Sequence, residues 1–413
     1  MARRYKPIVG LDVGTKKICI IIAEPNMEGE LEVIGMGHCE SKGMRKGVVV
    51  NLDQTVSAIR CAVEEAELMA GVPVDRVCVG IAGAHLKSFN SRGVIAVSGK
   101  DREITQEHIH RAIANAKAVS IIPPDREILH VIPTEFAVDE QDGIKNPEGM
   151  TASRLEVDVH IVTGSVTATQ NIVSCANRAG IEVSEIILEQ LASSESVLTE
   201  DEKELGVAII DIGGGTSDIA IFEKGSLWYT EVLPLGGEHF TNDIAVGLRT
   251  PMPEAEKIKK KWGCALASLV EETEPVEVPI VGPRKPKIIS RQLLCEIIQP
   301  RAEELFQIVH ENICKAGYEK ALNSGVVLTG GGSLLEGNIE IAEQIFDLPI
   351  RMGYPQGIGG LKDVVNSPIF STCVGLVQYG YRSKTARLRG RSLSDSWVTR
   401  IGSGFRSWIA EHF

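Results

Sequence analysis

Asp211-Ile212-Gly213-Gly214-Gly215-Thr216-Ser217-Asp218 is the stretch that decides how this chain folds. It follows the apolar run Val207-Ala208-Ile209-Ile210 and leads into another, Ile219-Ala220-Ile221-Phe222. The pattern predicts a buried strand, a tight glycine-rich turn and a second strand. About 200 residues upstream the arrangement occurs once already. There Ile8-Val9 runs into Gly10-Leu11-Asp12-Val13-Gly14-Thr15-Lys16, followed by an apolar stretch from Ile18 to Ala23.

A matched pair of such turns can hold a polyphosphate from both sides. Gly14, Gly213, Gly214 and Gly215 let backbone N–H groups approach phosphate oxygens with no Cβ in the way, and successive N–H groups form an anion-binding nest. Thr15 and Thr216 add hydroxyl donors, and Lys16 belongs to the same first loop. Asp12 and Asp211 would repel phosphate unless a cation lay between them, a role suited to Mg²⁺ held by carboxylates, waters and the phosphates. One Asp-x-Gly-Thr alone reads equally as a hairpin whose glycine supplies positive φ. Three consecutive glycines carry an entropy cost that a plain turn does not require. A third cluster, Val326-Val327-Leu328-Thr329-Gly330-Gly331-Gly332-Ser333, again follows an apolar strand and opens a helix. Three clusters together predict a nucleotide site.

Composition narrows the class. With 413 residues and 43% hydrophobic content, the chain can build two or more cores. A net charge of −12, without basic-aromatic interleaving, argues against nucleic acid as a partner. The nine cysteines are scattered, with no Cys-x-x-Cys, and read as small buried residues of a reducing compartment. No histidine spacing suggests a metal. No apolar run reaches the length that spans a bilayer, and the basic N-terminus runs straight into a strand, so a cytoplasmic protein is expected.

Strands and helices alternate through most of the chain, which favours an α/β architecture. A helix is expected from Asn51, its cap, to Ala70, stopped by Gly71. Residues 84–160 change texture to short strands around one helix, Gln106 to Ser120, and read as an inserted small α+β unit. Thr167 to Arg178 is again helical, closed by Gly180. A helix from Ser290 to Gly317 should be kinked or restarted at Pro300. Arg382, Lys384, Arg387, Arg389 and Arg391 read as a basic, Ser-rich linker.

The three clusters, in this order, resemble the actin-like ATPases, a superfamily that also holds the heat-shock chaperone ATPase and sugar kinases. Gly10 to Lys16 resembles their first phosphate loop, Asp211 to Asp218 the second, and Thr329 to Ser333, with Gly330, Gly331, Gly332 and Ser333, the adenosine loop. The resemblance implies a two-domain α/β fold with ATP and Mg²⁺ in the cleft, the metal facing Asp12 and Asp211 through water. It places the connecting helix at Glu185 to Ala192 and a second connection at Pro368 to Gly380. Glu256 and Lys259, in Ala255-Glu256-Lys257-Ile258-Lys259, match the pattern that contacts the ribose. Glu189 and Gln190 stand where the superfamily orients the attacking water; relatives usually read Glu-Pro where this chain reads Glu-Gln. The resemblance therefore implies ATP binding with at most slow hydrolysis.

Within the superfamily the chain is most similar to the FtsA family of bacterial cell-division proteins. The extra unit falls near residues 84–160 rather than early in the first half, and Gly143-Ile144-Lys145-Asn146-Pro147-Glu148-Gly149-Met150 and Arg154-Leu155-Glu156-Val157 with His160 match that family's segment. The resemblance implies a first half (subdomain 1A) from 1–83 and 161–205, completed by 366–382, and an inserted subdomain 1C at 84–160. It places subdomain 2A at 206–246 and 323–365, subdomain 2B at 247–322, a linker at 383–395 and a terminal helix at 396–413. It further implies self-assembly into filaments, a dock for the C-terminal peptide of FtsZ on 247–322, and contact of later division proteins with 84–160. Lys287, Arg291 and Arg301 are the candidates to meet that acidic peptide.

The C-terminal tail is read from its own residues. Trp397, Val398, Ile401, Phe405, Trp408, Ile409 and Phe413 recur at helical spacing, within one arc of roughly 160°. Arg400 and Arg406 lie opposite, the character of a helix lying in a membrane interface. Each buried large apolar side chain contributes roughly 1.5–3 kcal/mol and each nearby cation about 1 kcal/mol at an anionic surface. One tail should bind reversibly and several linked tails far more tightly. The expected location is the cytoplasmic face of the bacterial inner membrane, at the septum, as a peripheral protein. An actin-fold small-molecule kinase is the rival reading; it requires a catalytic Asp for the substrate and leaves the tail without a role.

Overall fold

The computed structural model describes residues 6–99, 101–282 and 285–388. The tail residues Trp397, Val398, Ile401, Phe405, Trp408, Ile409 and Phe413 lie outside them. Two sheets repeat one design. In the first half the strand order is Glu182–Leu188, Arg76–Ile81, Ile8–Val13, Lys17–Pro25, Leu31–Glu40, Gly359–Gly360. In the second it is Ser226–Leu233, Ser217–Glu223, Val207–Ile212, Val326–Thr329, Ile350–Met352. Each is an antiparallel three-strand meander extended by parallel strands on the far side of its first strand. The registers agree as well: Asp12 pairs with Cys19 and Asp211 with Asp218, each the last pair but one before its turn. The near-continuous burial of Ile8–Val13 and Val207–Ile212 follows from helices covering both faces.

Local signals set many of the helix ends. Asn51 caps Leu52–Ala70 by accepting from the Gln54 N–H at 3.0 Å, and Gly71 closes it at φ 66°. The inserted unit is an antiparallel sheet ordered Lys87–Ala96, Arg154–Ser165, Arg126–Val138, Gln141–Ile144. Helix Gln106–Val119 buries Ile109, Ala112, Ile113 and Ala116 against its Leu155, Val157, Val159 and Ile161. Its long strand continues past residue 160 to Ser165.

Three expectations are corrected. Glu185 to Leu188 is not helical: Glu182–Leu188 is a strand parallel to Arg76–Ile81, because Ile187 and Leu188 are fully buried against that sheet; the connecting helix is Glu189–Val197. Pro300 does not start a new segment: the helix runs from Arg291 to Ala316 as one element. Pro300 sits on the exposed face, so only its own hydrogen bond is lost, while Leu294, Ile298, Ala302, Leu305 and Phe306 bury the other face. The basic linker begins late, since helix Ser371–Leu388 carries Arg382 and Lys384, with Arg382 paired to Glu195 at 2.8 Å.

This last helix ties the halves together. It packs on Glu189–Val197 so closely that a Cβ on Gly375 would stand 1.7 Å from the Ala192 carbonyl oxygen. The inserted unit also grips the second half at its edge strand. The fully buried His160 donates from Nδ1 to Asn90 Oδ1 at 2.7 Å and accepts at Nε2 from the Thr230 hydroxyl at 2.9 Å. Ser88 Oγ donates to the Thr230 carbonyl at 2.8 Å.

Candidate functional site

The two turns and the third glycine cluster meet around a cavity of about 900 Å³. Asp12, Gly14, Thr15 and Lys16 line one wall; Asp211, Gly213, Gly214 and Thr216 face them; Gly330, Gly331 and Gly332 close the end. Glu256 and Lys259 also reach it, with Phe240, Leu334 and Leu335 supplying apolar surface. The glycines serve close approach: none of Gly14, Gly213, Gly214 or Gly215 has positive φ. A Cβ on Gly214 would stand 2.5 Å from Lys16 Cγ, and one on Gly215 2.9 Å from Thr15 Oγ1. Gly215 is thus a contact between the loops rather than part of the cavity wall. Gly330 is the exception, at φ 83°, where a Cβ would meet Asp211 Oδ1 at 2.2 Å. Ser333 does not line the cavity; its hydroxyl donates to the Gly330 carbonyl at 2.7 Å and holds that turn.

Four carboxyl groups converge on the floor: Asp12, Asp211, Asp218 and Glu189. Burial pushes Asp211 up to about 6, against a 3.0 Å hydrogen bond from the Thr372 hydroxyl to its Oδ2. Burial, then Asp12, Asp218 and Asp211, hold Glu189 well above the usual carboxylate range. Burial and then Asp211 do the same to Asp218, and burial raises Asp12 while Lys17 pulls it back. Lys17 is the cation of this floor. Its Nζ donates to the Ile369 carbonyl at 2.7 Å and lies 4.4 Å from the centre of the Phe370 ring. A surplus of buried negative charge is what a divalent cation relieves. Among the described residues no three of these carboxylates bring ligand atoms within 4.8 Å of one another. Mg²⁺ keeps several of its waters and takes only one or two carboxylates, so it does not need such a cluster. The residues present fit the ion.

The two threonine hydroxyls differ from each other. Thr216 Oγ1 donates to Asp218 Oδ2 at 3.2 Å, and Thr15 Oγ1 accepts from the Gly47 N–H at 3.1 Å. Thr216 therefore shapes the carboxylates, while Thr15 keeps its proton to donate. Lys16 reaches across the cleft to Glu238 at 2.6 Å. Glu256 and Lys259 pair at 2.8 Å, and the Lys259 ammonium also donates to the Gly237 carbonyl at 2.8 Å. Of the two candidates for orienting water, Glu189 lines the cavity and Gln190 does not. Gln190 is buried behind it, its Nε2 donating to Asp218 Oδ1 at 2.8 Å. Sequence reasoning missed Lys17, Thr372 and Glu238. The signal available for Lys17 was its place as the one charged residue at the head of the buried apolar run Ile18–Ala23; nothing local marks the other two.

The basic candidates on 247–322 separate clearly. Arg291 is bound to Glu274 at 3.1 Å, Glu336 at 2.5 Å and the Trp262 carbonyl at 2.9 Å. Arg301 holds Asp243 at 2.7 Å and also pairs with Glu304. Lys287 is exposed at the start of the two-stranded edge Pro275–Val278 and Lys287–Ser290.

Comparison with known proteins bears on the family and the fold. A family model for the cell division protein FtsA matches residues 208–375, and one for the SHS2 domain inserted in FtsA matches residues 83–163. The cell division protein FtsA of Pseudomonas aeruginosa is 49% identical over 380 residues, 92% of this chain and 90% of that protein. The PilM-PilN type IV pilus biogenesis complex contributes a chain that superimposes with a TM-score of 0.64 at 14% identity, covering 91% of this chain and 98% of that one. MreB5 of Spiroplasma citri bound to ADP superimposes at 0.54 with 14% identity, covering 94% and 99%. Those structures speak to the fold, which is actin-like; the sequence relatives favour cell division over the small-molecule kinase. This chain belongs to the FtsA family of actin-like cell-division proteins.

Proposed function

We propose that the cleft binds ATP with Mg²⁺, and that the nucleotide-bound protein assembles into filaments which tether FtsZ to the inner membrane. The observation that carries the first part is the floor of buried carboxylates between two glycine loops, with Lys17 as its cation. When bound, the metal supplies positive charge between the phosphate oxygens and the carboxylates. The rest is the work of the chain itself. Loop N–H groups of the cavity-lining residues Thr15, Lys16 and Gly214, which make no backbone hydrogen bond, are the donors for the phosphates. Glu256 and Lys259 hold the ribose, and Gly330 to Gly332 with Leu334 and Leu335 enclose the base. Glu189 is positioned to accept a proton from water, but its raised affinity for protons favours slow hydrolysis. Binding of ATP measured calorimetrically should fall at least tenfold when EDTA replaces Mg²⁺, and as far in Asp12→Asn. Equal affinity in EDTA would defeat this reading.

The membrane attachment rests on Trp397, Val398, Ile401, Phe405, Trp408, Ile409 and Phe413, outside the described residues. No described helix is long and apolar enough to cross a membrane. The amphipathic spacing of the tail residues supports attachment through an interfacial helix, made multivalent by assembly. Lys287 is the strongest of the basic candidates for the acidic FtsZ peptide, because Arg291 and Arg301 already satisfy internal carboxylates. Residues 84–160 form the surface we assign to later division proteins. Sedimentation with anionic liposomes should require residues 394–413 and increase with ATP; binding that persists in the truncated protein would refute the tether.

A further inference from the structure

Among the described residues one set of three side chains is arranged as metal ligands: His310, Cys314 and Glu319, whose ligating atoms all lie within 4.8 Å of one another. It stands at the far end of helix Arg291–Ala316, outside the nucleotide cleft. We infer that these three residues form a transition-metal site, selective for Zn²⁺, that pins the end of this helix.

Histidine spacing alone suggested no metal, because the motif is mixed and its third member is brought in by a turn. His310 and Cys314 lie one helical turn apart on one face. The helix then ends at Gly317, in the left-handed region at φ 84°, and the chain folds back so that Glu319 returns over the last turn. His310 Nε2 and Cys314 Sγ are 3.6 Å apart. A tetrahedral zinc with Zn–S of about 2.3 Å and Zn–N of about 2.0 Å places its sulfur and nitrogen ligands about 3.5 Å apart. The imidazole is already oriented, edge-on to the buried Phe346 ring with centroids 5.4 Å apart. One thiolate and one carboxylate balance the charge of a divalent ion, and the thiol proton leaves to solvent on binding. Thiolate with imidazole favours zinc over the harder Mg²⁺ of the cleft. Glu319 is exposed and the other two half-buried, so an ion has a path in. The neighbouring carboxylate, Glu311, is engaged by Lys315 at 3.1 Å.

The position gives the site a consequence. Tyr318, between the turn and Glu319, hydrogen-bonds Asn90 of the inserted unit at 3.3 Å and the Trp228 carbonyl at 3.4 Å. A metal fixing the turn would also fix this contact between the inserted unit and the second half.

The test uses the purified full chain with Co²⁺ alone as probe. A thiolate-to-cobalt charge-transfer band should grow to one equivalent and be displaced by one equivalent of Zn²⁺. Cys314→Ser, a one-atom change, should abolish the band. Glu319→Gln should weaken binding roughly 10–100-fold. Cys39→Ser and Cys61→Ser should leave it intact. Zn²⁺ should raise the melting temperature of the parent chain but not of Cys314→Ser. The absence of a band in the parent, or a band surviving Cys314→Ser, would overturn the inference.

Discussion

Asp211 carries a charge that the nucleotide-free protein compensates only in part, and this can be measured. Burial holds its carboxyl at about 6 rather than the ordinary 3.8. At about 1.4 kcal/mol per pH unit, keeping it ionised at pH 7 costs the fold about 3 kcal/mol. Asp211→Asn removes the charge and keeps the shape, and the new amide oxygen can still accept from Thr372. It also relieves Glu189 and Asp218, which Asp211 pushes up. Protein stripped of nucleotide and metal should therefore gain up to about 3 kcal/mol in urea unfolding at pH 7. The dependence on pH is specific. Because the folded value is raised, the folded state holds more protons than the unfolded state between about pH 4 and 6. The parent protein thus recovers stability as acid protonates Asp211, while the variant does not titrate there. The gap should close as pH falls from 7 to 4. With ATP and Mg²⁺ at 100 times the dissociation constant, the parent gains about 2.7 kcal/mol and the variant little. A stripped variant less stable than the parent at pH 7, or a gap independent of pH, would refute the view that charge burial governs this residue.

Four further outcomes are expected. His160→Ala leaves Asn90 Oδ1 and Thr230 Oγ1 without their partner, a loss of about 3 kcal/mol at pH 7 in chemical denaturation. Burial holds His160 down at about 4, so its contribution is full above pH 6.5 and fades as pH falls towards 4, narrowing the difference from the parent. Gly330→Ala forces a Cβ against Asp211 and strains a positive φ; ATP affinity should drop at least tenfold by fluorescence competition, and parent-like affinity would remove the glycine from the site. Lys287→Glu should weaken an acidic FtsZ peptide about tenfold by fluorescence anisotropy without altering stability. Arg301→Glu should instead lower stability by about 2 kcal/mol through its half-buried pair with Asp243, and a stable Arg301→Glu chain would contradict that division of roles.

The duplicated sheet design was legible because it is written in local terms. Apolar runs of strand length, glycine-rich turns and an aspartate one residue before the end of each leading strand appear twice, and the pairing of Asp12 with Cys19 and Asp211 with Asp218 follows from those turns. The cap at Asn51 and the stop at Gly71 were equally local. Ile186 and Ile187 were misread because their strand exists only by pairing with Arg76–Ile81, more than a hundred residues away. Pro300 misled in the opposite direction: a helix buried along one whole face tolerates one missing hydrogen bond on the other.

Sequence by itself determined the parts of the cleft, since the close approach of backbone to phosphate admits few residues other than glycine and the repeated Asp-Gly turn is visible without any fold. Only the tertiary structure decided which side chains face the cavity. It turned Lys17 rather than Lys16 towards the carboxylates, placed Gln190 behind Asp218, spent Arg291 and Arg301 on internal acids and set Glu319 above Cys314. Those choices depend on partners tens to hundreds of residues away in the chain and on how much water remains around each charge, and a linear pattern carries neither.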